Sequence, residues 1–238
     1  MKKIALALIA LLFLVSVYFG FQAAAHLDGH LKKTAPNNSL EPISAQQNYL
    51  IFQVSELGGD SPMLVSVWGL FVRDAPPPHL AFVSLYPPAD TEQEDDSFSF
   101  FRLTRDAKIP DRVIRKIERK FHIKTNGYFL VDNFSASSIE TWLGLENPSS
   151  PSQPPLTPLE RQTILSHGQK VISQFCAQIS QNGIDQVINQ IHWADLLPEH
   201  FSTNVSTELW LQAVNKLASF EKIGSCESSS PNSARSGA

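Results

Sequence analysis

A carboxylate stands directly before an apolar stretch in the string DSPMLVSV, residues 60–67. Asp60 is therefore a candidate site residue, with its carboxylate held in place by the buried strand that follows. Aspartate is equally common in turns, because its side chain accepts hydrogen bonds from the nearby backbone, and Pro62 follows two residues later. The local sequence leaves both interpretations open: a turn residue, or a carboxylate held over a site.

A second acidic stretch lies at residues 92–96, within PPADTEQEDD. Its composition is typical of a solvated loop, with a site for a cation or a basic partner as the alternative. The chain contains neither a glycine-rich phosphate loop nor the G-x-S-x-G string of a nucleophilic serine. Four histidines show no metal-ligand spacing, and we expect structural or solvent-facing roles for them: His122, His167, His192 and His200.

Cys176 and Cys226 are the only cysteines of the chain. Two are too few for a disulfide framework, and neither lies in a C-x-x-C or Cys/His spacing, so we predict no zinc site. Cys176 falls on the apolar side of a predicted helix, which favours a buried thiol. A bridge to Cys226 is the alternative.

Charge and composition limit the class of partner. The 238 residues carry a formal net charge of -4, so the chain has no overall basic field of the kind that holds a nucleic-acid backbone. Nucleic acid is therefore not expected as a partner. Hydrophobic residues make up 42% of the chain, which is enough to bury one main core.

The N-terminus predicts export. Lys2 and Lys3 precede an uncharged run, residues 4–21, that is about long enough to span a bilayer as a helix. Small residues at 23–25 also fit a cleavage site, so a cleaved signal peptide and a secreted product are the alternative to a retained signal-anchor. With the lysines on the cytoplasmic side, we expect a single-pass protein of the cell membrane whose domain is extracytoplasmic.

The periodicity of the sequence divides the rest of the chain. After the hydrophobic segment, residues 1–25, we predict a linker at 26–45, a folded domain at 46–222 and a disordered tail at 223–238. Short runs of β-branched and aromatic residues alternate with apolar residues at helical spacing, which favours an α/β sandwich. A long helix is predicted at 158–181, and three of its residues should face the sheet: Ile164, Val171 and Phe175.

Several strings, in this order, resemble those of the LytR-CpsA-Psr (LCP) family of exported, membrane-anchored proteins. DSPML at residues 60–64 is similar to the family's Asp-Thr-Ile-Met-Leu string, and LYPPADT at 85–91 is similar to its Ile-Pro-Arg-Asp-Thr string. HIKTNGYFLVDNFSASSIETWLG and LERQTILSHGQKVI resemble two later segments of the family, and the similarity spans about residues 48–220. The resemblance implies an LCP-like sandwich, in which helices flank a central mixed sheet.

The resemblance also implies a chemistry. Members of this family transfer glycopolymers from a polyprenyl-pyrophosphate carrier onto peptidoglycan, and hold the lipid in an apolar channel between sheet and helices. By position in the matching strings, Asp60 corresponds to the aspartate that holds the metal, with Mg²⁺ as the expected cofactor. Asp90 and Arg161 correspond to the catalytic acid and arginine. We therefore expect Asp60 and Asp90 to converge near Arg161.

Two departures from the family pattern weaken the implied activity. Ala89 stands where the family has an arginine, and Pro158 stands one turn before Arg161, where a second arginine is usual. Losing one bidentate contact to a pyrophosphate lowers the rate on the order of a hundredfold. Arg102 and Arg105 are candidates for contacts to the phosphate that compensate for this loss.

We therefore predict an exported, membrane-associated protein of the cell envelope that binds a polyprenyl-(pyro)phosphate lipid or a cell-wall glycan. Its phosphotransferase activity is expected to be weakened or lost. The alternative is an active LCP phosphotransferase, so the sequence leaves open whether the chain is an enzyme. A third class is a structural envelope protein that keeps the sandwich and has no lipid channel.

Overall fold

A computed structural model describes residues 46–59, 61–74, 76–88, 98, 101–145, 157–220 and 223–229. The predicted N-terminal segment and linker lie outside these ranges, and so do Asp60 and Asp90. Among the described residues, no helix is long and apolar enough to cross a membrane.

Six strands form one mixed sheet. Its lateral order is β5-β4-β1-β2-β3-β6. The pairs β1·β2, β2·β3 and β4·β5 are antiparallel, whereas β1·β4 and β3·β6 are parallel. The strands are β1 (Gln46–Val54), β2 (Leu64–Arg73), β3 (His79–Tyr86), β4 (Gly127–Asp132), β5 (Phe201–Thr203) and β6 (Ser225–Ser229).

Helices cover both faces of this sheet. We number those in the described part of the chain α1 (Asp111–Phe121), α2 (Asn133–Trp142), α3 (Pro158–Asn182), α4 (Ile184–Asn189), α5 (Trp193–Leu196) and α6 (Thr207–Ala218). The predicted α/β class, a central mixed sheet flanked by helices, is confirmed.

The two faces arise from the two-residue period of the strands, which sends neighbouring side chains to opposite sides. In β1, for example, Tyr49 and Ile51 belong to one apolar cluster, and Leu50 and Phe52 belong to the other. The face that packs on α1 buries Leu50, Phe52, Val54, Val67, Leu85, Val113, Ile117, Tyr128 and Leu130. The opposite face packs on α3, α4 and α6, and buries Tyr49, Trp68, Val72, Leu80, Phe82, Phe129, Ile172, Cys176, Ile179, Val187 and Leu217.

The long helix α3 begins and ends at residues suited to these positions. Thr157 and Glu160 form a capping box, in which each side chain accepts a hydrogen bond from the backbone N–H of the other. Pro158 occupies the first helical position, where its missing N–H costs nothing. Gly183 ends the helix with a φ of 82°, a conformation that favours glycine. The predicted packing is confirmed: Ile164 lines the space under the sheet, and Val171 and Phe175 pack on its core.

Two predictions about the C-terminal part are wrong. Residues 225–229 form strand β6 instead of a disordered tail, and Cys176 is not a free thiol but forms a disulfide with Cys226. The strand has few apolar residues, but it pairs with β3 along His79–Val83 and is joined covalently to α3. Backbone hydrogen bonds to β3 and the disulfide to α3 thus stabilise a strand that has little apolar surface to bury.

Helix α2 follows strand β4 directly. Its first residue is Asn133, because the carboxylate of Asp132 caps the helix by accepting a hydrogen bond of 2.9 Å from the backbone N–H of Ser135. The last residue of β4 is therefore also the cap of α2, and strand leads into helix with no loop between them.

Candidate functional site

A cavity of about 540 Å³ lies between the sheet and the helices α2, α3, α4 and α6. Its volume falls within the range of about 300–1,000 Å³ that is usual for ligand pockets. One part of its wall is apolar and belongs to the core described above, with Tyr49, Ile51, Leu70, Val72, Leu80, Phe82, Phe129, Val171, Phe175, Ile184, Trp210 and Leu217. We call this part the apolar wall.

The direction of α3 over the sheet shows where the cavity changes character. Gly168 lies against Trp68, in the middle of β2, and a Cβ at Gly168 would come within 2.5 Å of the indole ring. Further along α3, the rings of Phe175 and Phe82 are 6.0 Å apart, and Phe82 pairs with Leu70, two residues after Trp68. The helix therefore runs in the same direction as β2, and its N-terminal half lies toward the end of the sheet where β2 begins.

Polar side chains line the cavity at the end where β2 begins. Ser66 donates a hydrogen bond of 3.2 Å to Gln53, and Gln53 donates one of 3.0 Å to Asn133. This chain crosses three neighbouring strands, since the residues lie on β2, on β1 and directly after β4. From the helices, the polar lining residues are Asn133, Ser137 and Glu140 on α2, and Glu160, Thr163 and His167 on α3. Spacings of three and four place each group on one helix face.

One pair joins the two helices across this polar lining. His167 Nε2 lies 2.9 Å from Glu140 Oε1, and Glu140 is buried, with 5% of its surface exposed. The other carboxylate oxygen of Glu140, Oε2, is buried and has no hydrogen-bond partner among the described residues. Buried polar groups are almost always paired, so a buried carboxylate oxygen without a partner is unusual.

The charged side chains in the described part of the cavity wall include two carboxylates. Every Lys and Arg between residues 46 and 220 belongs to the described part of the chain, and none of them lines the cavity. Its charged lining residues are Glu140 and Glu160, which face the space together with His167. The described lining therefore presents carboxylate acceptors together with neutral side chains that can both donate and accept hydrogen bonds.

The three arginines predicted as site residues lie apart from this lining. Arg161 is half-buried in the first turn of α3, next to Glu160, and its Nε is buried without a hydrogen-bond partner in the described ranges. Arg102 and Arg105 are exposed on the loop before α1. This loop packs through Leu103 on the opposite face of the sheet.

The convergence of Asp60 and Asp90 stays a prediction, because both lie outside the described residues. The residues on either side of them are informative. The chain leaves β1 and enters β2 at the end of the sheet that holds Gln53 and Ser66, and it leaves β3 at the same end, since Tyr86 pairs with Val67. Among the described residues, no group of three His, Cys, Asp or Glu side chains could hold a metal ion, so Mg²⁺ at Asp60 also stays a prediction.

A second buried carboxylate lies outside the cavity. Asp132 is 2% exposed, and its Oδ2 lies 2.7 Å from His200 Nδ1. The ring of Phe134 stacks on His200 with 4.2 Å between centroids. Because Asp132 also caps α2, this network joins the start of that helix to the residue before β5. A structural role is one of the two roles predicted for His200, and these contacts agree with it.

Burial raises the pKa of two tyrosines. Tyr49 belongs to the apolar wall, and burial alone raises the pKa of its phenol, which donates a hydrogen bond of 2.7 Å to Gln47. Tyr128 lies on the opposite face, and burial raises its pKa more than the hydrogen bond from the Ile109 backbone N–H lowers it.

Sequence reasoning missed Glu140 and His167 as site residues. These two residues are 27 positions apart, and neither belongs to a recognisable sequence motif. The only signal was their placement on the cavity-facing sides of two amphipathic helices, where an acid and a histidine replace apolar residues.

Comparison with known proteins adds a similarity of fold. No protein-family model matches the chain, and no curated protein matches it. Among solved structures, TagV from B. subtilis is 12% identical, with a TM-score of 0.47 over 78% of this chain and 84% of that chain. The transcriptional regulator yvhJ from Bacillus subtilis is 13% identical, with a TM-score of 0.46 over 78% and 82%.

TagT, in a structure bound to LIIa-WTA, is 9% identical, with a TM-score of 0.49 over 82% of each chain. At these identities and TM-scores, the neighbours carry no argument about function. The resemblance to the LytR-CpsA-Psr family therefore still rests on the strings of the sequence.

Proposed function

We propose that the protein binds a polyprenyl lipid of the cell envelope, with the isoprenoid chain in the cavity, and that its phosphotransferase activity is weakened or lost. One observation carries this proposal: a cavity of about 540 Å³, with an apolar wall at one end and a polar lining at the other. An amphiphile has the same two-part character, and burial of its chain is favourable by about 25 cal/mol per Å².

The cavity favours a lipid over the other ligand that the sequence suggested, a cell-wall glycan. Sugar rings carry hydroxyl groups on every side, and each hydroxyl buried against the apolar wall without a partner would cost free energy. The cavity also argues against a purely structural envelope protein, which would have no reason to keep such a space.

In the described part of the chain, no lysine or arginine lines the cavity, and this supports weakened catalysis. Phosphoryl transfer needs groups that stabilise the charge on the transferring phosphate, and arginine is the usual donor. The described wall of the cavity contains two acidic residues, Glu140 and Glu160, and no arginine. This agrees with Ala89 and Pro158 at positions where the family pattern has arginines.

Export and membrane association are parts of the same proposal. They are supported by the hydrophobic run after Lys2 and Lys3. The disulfide between Cys176 and Cys226 points the same way, because such bonds persist mainly in oxidising compartments outside the cytoplasm.

The proposal is tested on the full chain, extracted from membranes in a mild detergent and analysed by mass spectrometry for bound lipid. We expect a polyprenyl lipid to co-purify with the wild type. Ala213 lines the cavity and is half-buried, so Ala213→Trp should fill the space and remove the lipid. Ala194 is exposed on α5, and Ala194→Trp is the matched control that should retain it. Equal lipid content in all three proteins, or none in any, would refute the proposal.

An active phosphotransferase is the second candidate, and Arg161 is the observation that favours it. Its buried Nε without a partner in the described chain is a donor that an anion could satisfy. In this candidate Asp60 would hold Mg²⁺. Transfer of a labelled glycopolymer in the presence of Mg²⁺, lost in Arg161→Lys and in Asp60→Asn, would establish it. Absence of transfer by a protein that binds lipid would leave the first proposal standing.

A further inference from the structure

We infer that the polar lining of the cavity selects a lipid whose head is a hydroxyl group, a free polyprenol, over the same lipid bearing a phosphate. This inference rests on the proposed function, since it names the head group of the lipid whose chain the apolar wall would bury. It starts from Glu140 Oε2, a buried oxygen of a cavity-lining residue with no hydrogen-bond partner among the described residues.

The unpaired oxygen defines what a ligand must supply. A carboxylate accepts hydrogen bonds and donates none, so only a donor on the ligand can satisfy Glu140 Oε2. His167 already occupies the other oxygen, Oε1, at 2.9 Å. The contact between His167 and Oε1 joins α2 to α3 without using Oε2. This contact therefore does not explain why Oε2 is buried without a partner among the described residues.

A hydroxyl fits the neighbouring groups as well as the carboxylate. It donates one hydrogen bond and accepts others, and the same lining presents Ser137 and Thr163, whose own hydroxyls can donate. Gln53 and Asn133 hold each other through one amide hydrogen bond of 3.0 Å and keep a further N–H each for a ligand oxygen. A single hydroxyl could thus both give and receive hydrogen bonds here.

A phosphate fits poorly for reasons of charge. It offers mainly acceptor oxygens and would bring its negative charge beside a buried carboxylate, where water screens little. The cation that could offset this repulsion is absent from the described wall, because no Lys or Arg lines the cavity. The negative charge of a phosphate and its lack of hydrogen-bond donors therefore both favour the alcohol over the phosphate.

The test measures binding of geranylgeraniol and geranylgeranyl phosphate, which share one isoprenoid chain, to the delipidated full chain at neutral pH. We expect the alcohol to bind about tenfold more tightly, the difference that one satisfied buried hydrogen bond and the avoided repulsion should make. Tighter binding of the phosphate would overturn this inference and leave the proposed function intact. Binding of neither probe would refute the proposed function itself.

A substitution that keeps shape and removes charge shows whether Glu140 is responsible. Glu140→Gln should reduce the preference for the alcohol about tenfold, mainly by strengthening the binding of the phosphate. Glu199, exposed and outside the cavity, supplies the matched control, because Glu199→Gln changes the net charge equally and should leave the preference unchanged. An unchanged preference in Glu140→Gln would overturn the assignment to this residue. Circular dichroism of each variant excludes loss of fold as the cause.

Discussion

Replacing Cys176 and Cys226 together by alanine is expected to lower the free energy of unfolding by about 4 kcal/mol. The disulfide joins residues that are 50 positions apart. Closing a loop of that length removes about 14 cal/mol/K of chain entropy from the unfolded state, which is about 4 kcal/mol at 25 °C. Alanine is chosen because Cys176 is buried among apolar residues, where a serine hydroxyl would add a separate cost.

Urea unfolding of the full chain in a mild detergent, followed by circular dichroism, measures this difference. For a slope of about 2 kcal/mol per M, the midpoint of the double variant should lie about 2 M below that of the wild type. A reducing agent should lower the wild-type midpoint by the same amount and leave the variant unchanged. This comparison separates loss of the covalent bond from any effect of the new side chains.

Hydrogen exchange locates the effect. Strand β6 is held by its ladder to β3 and by the bond from Cys226 to α3, so the amides of Ser225–Ser229 should exchange faster in the double variant. The reasoning would be refuted if the oxidised, reduced and variant proteins unfolded at one midpoint. It would also be refuted if β6 kept its full protection without the bond.

Three further outcomes are expected from urea unfolding of single variants. Gly168→Ala should cost about 1–3 kcal/mol of stability, because the new Cβ would lie 2.5 Å from the indole ring of Trp68. Gly58→Ala is the control and should change stability little, because a Cβ there would meet nothing within 4 Å. Equal effects of the two substitutions would contradict the close packing of α3. Asp132→Ala should cost about 2–4 kcal/mol, because it removes a helix cap and the hydrogen-bond partner of the half-buried His200. The exposed Asp195→Ala is its control, and a loss as small as the control's would show that the network is unimportant. Burial raises the pKa of Tyr49 above 10.0, so the contribution of the neutral phenol to stability is complete below that pH and is lost as pH rises through the native pKa. Tyr49→Phe should therefore weaken the decline of the urea midpoint at alkaline pH. An identical decline in the variant would count against burial of the phenol.

Local pattern was sufficient to predict the α/β class and the long helix α3. Short runs of β-branched and aromatic residues predicted the strands, and three- and four-residue spacing predicted α3, because burial of one helix face imposes that period on the sequence. Ile164, Val171 and Phe175 took their predicted side of α3 for the same reason.

Features that depend on distant residues could not be read in this way. The five residues of β6 have too little apolar surface to predict a strand, and they become ordered through a ladder and a disulfide supplied by other parts of the chain. Glu140 and His167 meet only because α2 and α3 cross the same face of the sheet. The volume of the cavity depends on the distance between the sheet and the helices, and a short stretch of sequence does not determine that distance.

The strand β6 also has a consequence for how copies of this chain behave toward one another. It occupies one lateral margin of the sheet and presents serine and glutamate outward, whereas the strand that it covers, β3, is rich in apolar residues. Backbone groups of an uncovered β3 would be a template for pairing with the same strand of another molecule, which is a common start of aggregation. At the other margin, β5 is only three residues long and offers little to pair with. We therefore expect the short, polar strand joined to α3 to hinder self-association, and we expect shortened forms of the protein to stay monodisperse only if they retain it.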